Sequence, residues 1–177
     1  QCADAIMRLK AEYHWHKKEF EKIHFNFTNG FEVKYTEWQK GRRIKVDGNT
    51  TTWDNGSQPS SSYKDFWKYM EVIFMYAGTA SLEKELVAVD INNMTIGDVF
   101  IQGGHPGHAI IVMDIAIQEN TNQKVFMLAQ SYMPAQDLQI LVNTNNEKFS
   151  PWYSLSEQPI LITPEWTFSS SDLKRFK

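Results

Sequence analysis

Cys2, Ile6, Leu9, Tyr13, His16 and Phe20 recur at spacings of four and three residues, the period of one face of an α-helix. The stripe predicts a first helix from Cys2 to about Ile23, with Arg8 and Glu12 paired at i,i+4 on its wet side. Lys17, Lys18, Glu19, Glu21 and Lys22 read as the solvated end of that helix. From His24 to Asn55 the pattern becomes extended. Asn29-Gly30 signals a turn, and Phe31, Val33 and Tyr35 alternate with Glu32, Lys34 and Thr36 as in a half-buried strand. After Gly41, Arg42 to Val46 predicts a second strand, closed by the hairpin signal Asp47-Gly48 and a return over Thr50 to Trp53. Ser57 to Ser62, with Pro59, is a loop.

Ser62 then starts a second helix to about Ala77, with Asp65 as a capping-box variant. Its apolar stripe is Phe66, Tyr69, Met70, Ile73, Phe74 and Ala77, and Gly78 ends it. Ser81 caps a short helix from Leu82 to Leu86. Beyond Ile96 the pattern is that of strands. Ile96 to Ile101 turns into one, and Gln102 to Gly107 is a Gly/Pro loop. His108 to Ile117 is a near-continuous apolar run, which predicts a central strand buried on both faces. Lys124 to Gln130 returns antiparallel to it, Leu138 to Val142 follows after Met133-Pro134, and Ile160 to Ile162 adds one more. Segregated helices and strands make the fold class α+β.

The 177 residues suit one domain. With 42% hydrophobic and 22% charged residues the chain is globular rather than disordered. A net charge of -3 argues against a nucleic-acid binder, which needs clustered Lys and Arg. No run approaches the ~20 apolar residues of a membrane span. A single cysteine excludes an internal disulfide and a cysteine-cluster metal site. No cofactor motif is present, and His14 and His16 are wrongly spaced for a shared helical metal site, so no metal and no cofactor are expected. The chain opens at Gln1, without Met and already in a helical pattern, so it is expected to be N-terminally incomplete.

Three residues carry candidate chemistry. Cys2 stands at a helix start, where unpaired N–H groups and the helix dipole favour a thiolate; the bland reading is a small buried hydrophobe. His108 opens the central strand after a Gly-rich approach, as a general base or as a satisfied structural histidine. Gln130 ends the partner strand, where a polar side chain can hold one imidazole tautomer. Pairing around the turn at 118–123 puts Gln130 beside Ile110 or Ile111, and only the first register puts it on the face of His108. Asp98 reads as fixing the turn into its strand. Trp38, Arg42 and Arg43 either line a groove or dress a strand.

A helix-start Cys, then Gly97-Asp98-Val99-Phe100, then Gly107-His108-Ala109-Ile110-Ile111-Val112-Met113-Asp114, then a polar residue on the next strand resembles the papain-like NlpC-type cysteine peptidases. The likeness covers Cys2 to about Ala11 and Ile96 to Tyr132; residues 24–95 stand as an insertion relative to the minimal fold. It implies Cys2 as nucleophile, His108 as general base and Gln130 as the orienting group. Ala3 follows the Cys where those peptidases usually carry Ser. Segments such as Ile23-His24-Phe25-Asn26-Phe27-Thr28 and Leu128-Ala129-Gln130-Ser131-Tyr132-Met133-Pro134 are similar to an uncharacterised family of exported bacterial proteins of Bacteroides type. That similarity implies a cell-envelope location, periplasmic or extracellular; any export signal or lipid anchor would lie upstream of this chain.

The expectation is a thiol hydrolase acting on an amide or peptide bond in cell-wall peptidoglycan, with Trp38, Gly104, Gly107, Ser131 and Tyr132 contacting substrate. The alternative is an inactive envelope protein that binds glycan or peptide on the same scaffold.

Overall fold

Ala3, Ile6, Met7 and Ala11 form the buried face of the first helix, α1 (Cys2–His16), which packs on the central sheet. The structure, a computed structural model, describes residues 2–155 and 159–177. The buried face is rotated from the predicted stripe: Tyr13 and His16 are exposed, because the small Ala3 and Ala11 rather than the bulkier residues allow close approach to the strands. The helix also stops short of Ile23. Lys18 takes a left-handed φ of 59°, and Phe20–Lys22 is a separate 3-10 turn.

Strands β1 (His24–Asn26) and β2 (Glu32–Lys34) form a small hairpin, with Phe25 opposite Val33. Tyr35, expected to continue the strand, instead begins a short helix, α2 (Tyr35–Gln39), which buries Tyr35 and Trp38. β3 (Arg42–Asp47) and β4 (Thr50–Asn55) pair over their full length around Gly48 and Asn49, as their turn chemistry predicts. Ser62 caps α3 (Tyr63–Tyr76) by accepting from the Asp65 N–H. The Asp65 carboxylate does not complete a capping box; it takes Arg43 Nη2 at 2.9 and 3.2 Å. α4 (Thr79–Glu85) starts earlier than expected: Gly78 is its cap, and Ser81 sits inside the first turn, its hydroxyl accepting the Gly78 N–H.

The remaining strands are β5 (Val87–Ala88), β6 (Val99–Gln102), β7 (His108–Gln118), β8 (Gln123–Gln130), β9 (Gln139–Ile140), β10 (Ile160–Ile162), β11 (Thr167–Ser169) and β12 (Leu173–Arg175). Six of them make one sheet in the order β5-β12-β6-β7-β8-β9, every neighbouring pair antiparallel. β10 and β11 form a separate hairpin. The described residues are thus a mixed α+β arrangement of antiparallel sheets with few helices. β12, which carries one apolar residue and no readable pattern, was not predicted, yet it lies between β5 and β6. Asp98 joins it to the sheet: its carboxylate accepts Thr95 N–H at 2.8 Å and Arg175 Nε at 2.6 Å.

Side-chain alternation gives the sheet two apolar faces. Val99, Ile101, Ala109, Ile111 and Ala129 join α1 and α3 in one core, whereas Phe100, Ile110, Val112, Phe126 and Leu128 meet Leu161 and Phe168 of the β10–β11 hairpin in another. β7 is buried on both faces only from His108 to Val112; its second half is partly exposed, correcting the prediction for the whole run. Met113 is an extra residue in the β7–β8 ladder, between the pairs Val112↔Leu128 and Asp114↔Met127.

Candidate functional site

Met113 decides the site's geometry. Below the bulge, Ile117 pairs with Lys124; continued unbroken, that register would set Gln130 opposite Ile111. The bulge shifts it by one, so Ile111 faces Ala129 and Gln130 falls beside Ile110, on the face of His108. The outcome is a hydrogen bond of 2.7 Å between His108 Nε2 and Gln130 Oε1, with the two residues 2% and 1% exposed. On its other end the Gln130 amide donates from Nε2 to Glu165 Oε2 at 2.7 Å.

Aromatic rings box the imidazole. Tyr132 meets it edge-on at 5.1 Å between centroids, Trp166 at 5.4 Å and Phe168 at 6.0 Å. Burial among them disfavours the imidazolium and lowers the His108 pKa below its ordinary 6.5; the Gln130 bond acts in the opposite sense. His108 is therefore neutral near pH 7. Its Nδ1 bonds to no described residue.

Cys2, in the first turn of α1, and His108, the first residue of β7, are walls of one open cavity of about 490 Å³. Gly104, Gly107, Tyr132 and Trp166 line the same space, and His105 reaches it from the loop. Cys2 is half-buried and free, and no hydrogen bond among the described residues joins it to His108. The Gly-rich loop passes tightly over the start of α4. A Cβ on Gly107 would stand 2.5 Å from Thr79 Oγ1 and 2.7 Å from the Gly104 carbonyl oxygen, so only glycine fits.

Two expected contact residues lie elsewhere. Trp38 is away from the cavity, 3% exposed in the α2–α3 core; its indole donates to the Asp65 carbonyl at 3.1 Å and the Arg43 guanidinium covers its ring at 4.2 Å. The short helix α2, hidden from the sequence pattern, turns it inward. Arg42 and Arg43 pair with Glu37 and Asp65, dressing this region rather than a groove. Ser131 is buried and donates to the Gln136 carbonyl. It borders a neighbouring cavity of about 480 Å³, which shares Asp4 and Phe74 with the first.

Glu165 and Trp166 were missed from sequence. They belong to the turn Thr163–Trp166 between β10 and β11, closed by Thr163 N–H to the Trp166 carbonyl at 2.8 Å. Trp166 Nε1 donates to Gln102 Oε1 at 2.9 Å, tying the turn to the end of β6. Thr-Pro-Glu-Trp is legible as a turn, but nothing local says that it docks over a histidine far up the chain. The described residues hold no group of three or more His, Cys, Asp or Glu able to bind a metal ion. No described helix is long and apolar enough to cross a membrane.

Comparison with known proteins found no match among curated proteins and none among solved structures. One family model, described as Domain of unknown function (4846), matches residues 1–175; the chain belongs to this DUF4846 family.

Proposed function

We propose that this protein is a thiol hydrolase cleaving an amide or peptide bond, on an NlpC-type papain-like scaffold in which 24–95 is an insertion. The supporting observation is that Cys2 and His108 wall one open cavity while Gln130 holds Nε2 of His108. In this reading Nδ1 of the neutral ring accepts the Cys2 proton. The sulfur adds to the substrate carbonyl carbon, and the N–H groups of the first turn of α1 stabilise the oxyanion. The C–N bond then breaks as His108 returns the proton to the leaving amine. Water, deprotonated by His108, adds to the thioester and releases the acid and the thiol. Tyr132 and Trp166 face the space where the chain flanking the scissile bond would lie. The second cavity borders the first at Asp4 and Phe74, and two neighbouring cavities suit an extended substrate such as a peptidoglycan stem peptide. That substrate and the resemblance to exported proteins favour a bacterial envelope location.

A thiol-directed alkylator tests the reading. Cys2 in the folded protein reacts faster at neutral pH than free cysteine, and His108→Ala removes the excess. Labelling no faster than free cysteine overturns the proposal. The aromatic walls also favour a second reading, a binding protein without hydrolysis. It requires that Cys2→Ala leave muropeptide affinity intact and that no muropeptide be cleaved.

A further inference from the structure

We infer that Glu165 is a positioning residue for this site: by accepting from the Gln130 amide it sets which end of that amide faces His108, and so which ring nitrogen carries the proton. The catalytic meaning of this role rests on the proposed pairing of Cys2 with His108; the geometry itself does not.

The two ends of a glutamine amide have nearly the same shape, but the oxygen only accepts and the nitrogen only donates. Gln130 is 1% exposed and spans from His108 Nε2 to Glu165 Oε2, both at 2.7 Å. A carboxylate has no proton to give. Were the amide turned over, two oxygens would face each other at that distance with no hydrogen between them. Glu165 therefore holds the NH₂ end to itself and points Oε1 at the ring. An oxygen there can only accept, so His108 Nε2 is the N–H. A neutral imidazole carries one proton, so Nδ1 is left with its lone pair. That nitrogen is the one with no described partner, on a ring that walls the cavity with Cys2. The opposite tautomer would make Nδ1 an N–H, which could not take a thiol proton.

Glu165 is solvent-exposed on its outer side, so screening leaves its charge little leverage on the ring. Its effect is that of an acceptor in the right place. The tight turn supplies the place: Trp166, the next residue, packs on the same imidazole and is tied to Gln102. One turn thus touches the histidine directly and its orienting amide through the carboxylate.

The test reads the His108 tautomer by ¹⁵N NMR in the wild type, Glu165→Gln and Glu165→Ala. Glutamine keeps the shape of Glu165 but both donates and accepts, so it satisfies either orientation of Gln130. The expected result is a proton on Nε2 in the wild type and a mixture of tautomers in Glu165→Gln. Cys2 alkylation at neutral pH should slow in proportion to the fraction of rings whose proton sits on Nδ1, about twofold for an even mixture. An unchanged Nε2 tautomer in folded Glu165→Gln overturns the inference, and that variant decides the question if Glu165→Ala fails to fold. Slow alkylation of the wild type overturns the hydrolase reading instead, and leaves the tautomer result standing.

Discussion

Gln130 Oε1 lies 2.7 Å from Nε2 of His108, and both side chains are almost sealed from water. A buried imidazole without that acceptor would hold an unsatisfied N–H, which costs about 1–3 kcal/mol. The bond therefore stabilises the site's architecture and fixes the ring at once.

The His108 titration should show the burial. Its midpoint in the folded protein is expected below the ordinary 6.5, and lower still in Gln130→Ala, which removes the bond acting to raise it. Because the folded value is depressed, the unfolded chain takes up the proton first as pH falls below 6.5. Stability present above that pH is lost as pH drops through the folded value. His24 is lowered chiefly by burial too and adds in the same direction. NMR titration measures the midpoint; a value at or above 6.5 contradicts the account.

Lys10 offers a second electrostatic test. Its ammonium lies 4.1 Å from the centre of the Phe176 ring and 5.6 Å from that of Phe25. Burial lowers its pKa to about 8, against a smaller raising effect of Glu85. Between pH 8 and 10.5 the unfolded chain binds more protons than the folded one, so wild-type stability climbs with pH across that window. Lys10→Met should be more stable than wild type at pH 7 by about 1 kcal/mol, after allowing for the lost cation–ring contacts. The gap should narrow toward pH 10 in chemical denaturation. A less stable variant at pH 7 would reject this reading.

Asp98→Ala should destabilise by about 2 kcal/mol, the loss expected when charge-assisted hydrogen bonds at a buried acceptor are removed. Asp98 is 1% exposed and receives Nε and Nη2 of Arg175 at 2.6 and 2.8 Å. Asp98→Asn, which can still accept the Thr95 N–H, should lose less. Urea midpoints compare the two.

Local pattern revealed much of this molecule, and its failures have specific causes. The β3–β4 hairpin, the Ser62 cap and the antiparallel β7–β8 pair follow from turn chemistry and periodicity, which act over a few residues. Cys2, His108 and Gln130 were each visible as candidates by position. Their relation was not: the sequence permits two registers for Gln130, and a single extra residue, Met113, selects between them. Trp38 went the other way because α2 carries too few residues to print a helical period. Glu165 and Trp166 come from a turn whose importance lies wholly in tertiary docking.

The placement of β12 bears on how the chain reaches its fold. Residues 173–175 separate β5 from β6, although β5 and β6 are made long before them. Until they arrive, Val87 and Ala88 have no strand beside them, and the flank of β6 away from β7 is an open ladder of amide groups. On a ribosome this sheet stays unfinished until residues 173–175 have emerged. A chain stopped before Leu173 exposes a sticky edge that a second unfinished copy could occupy.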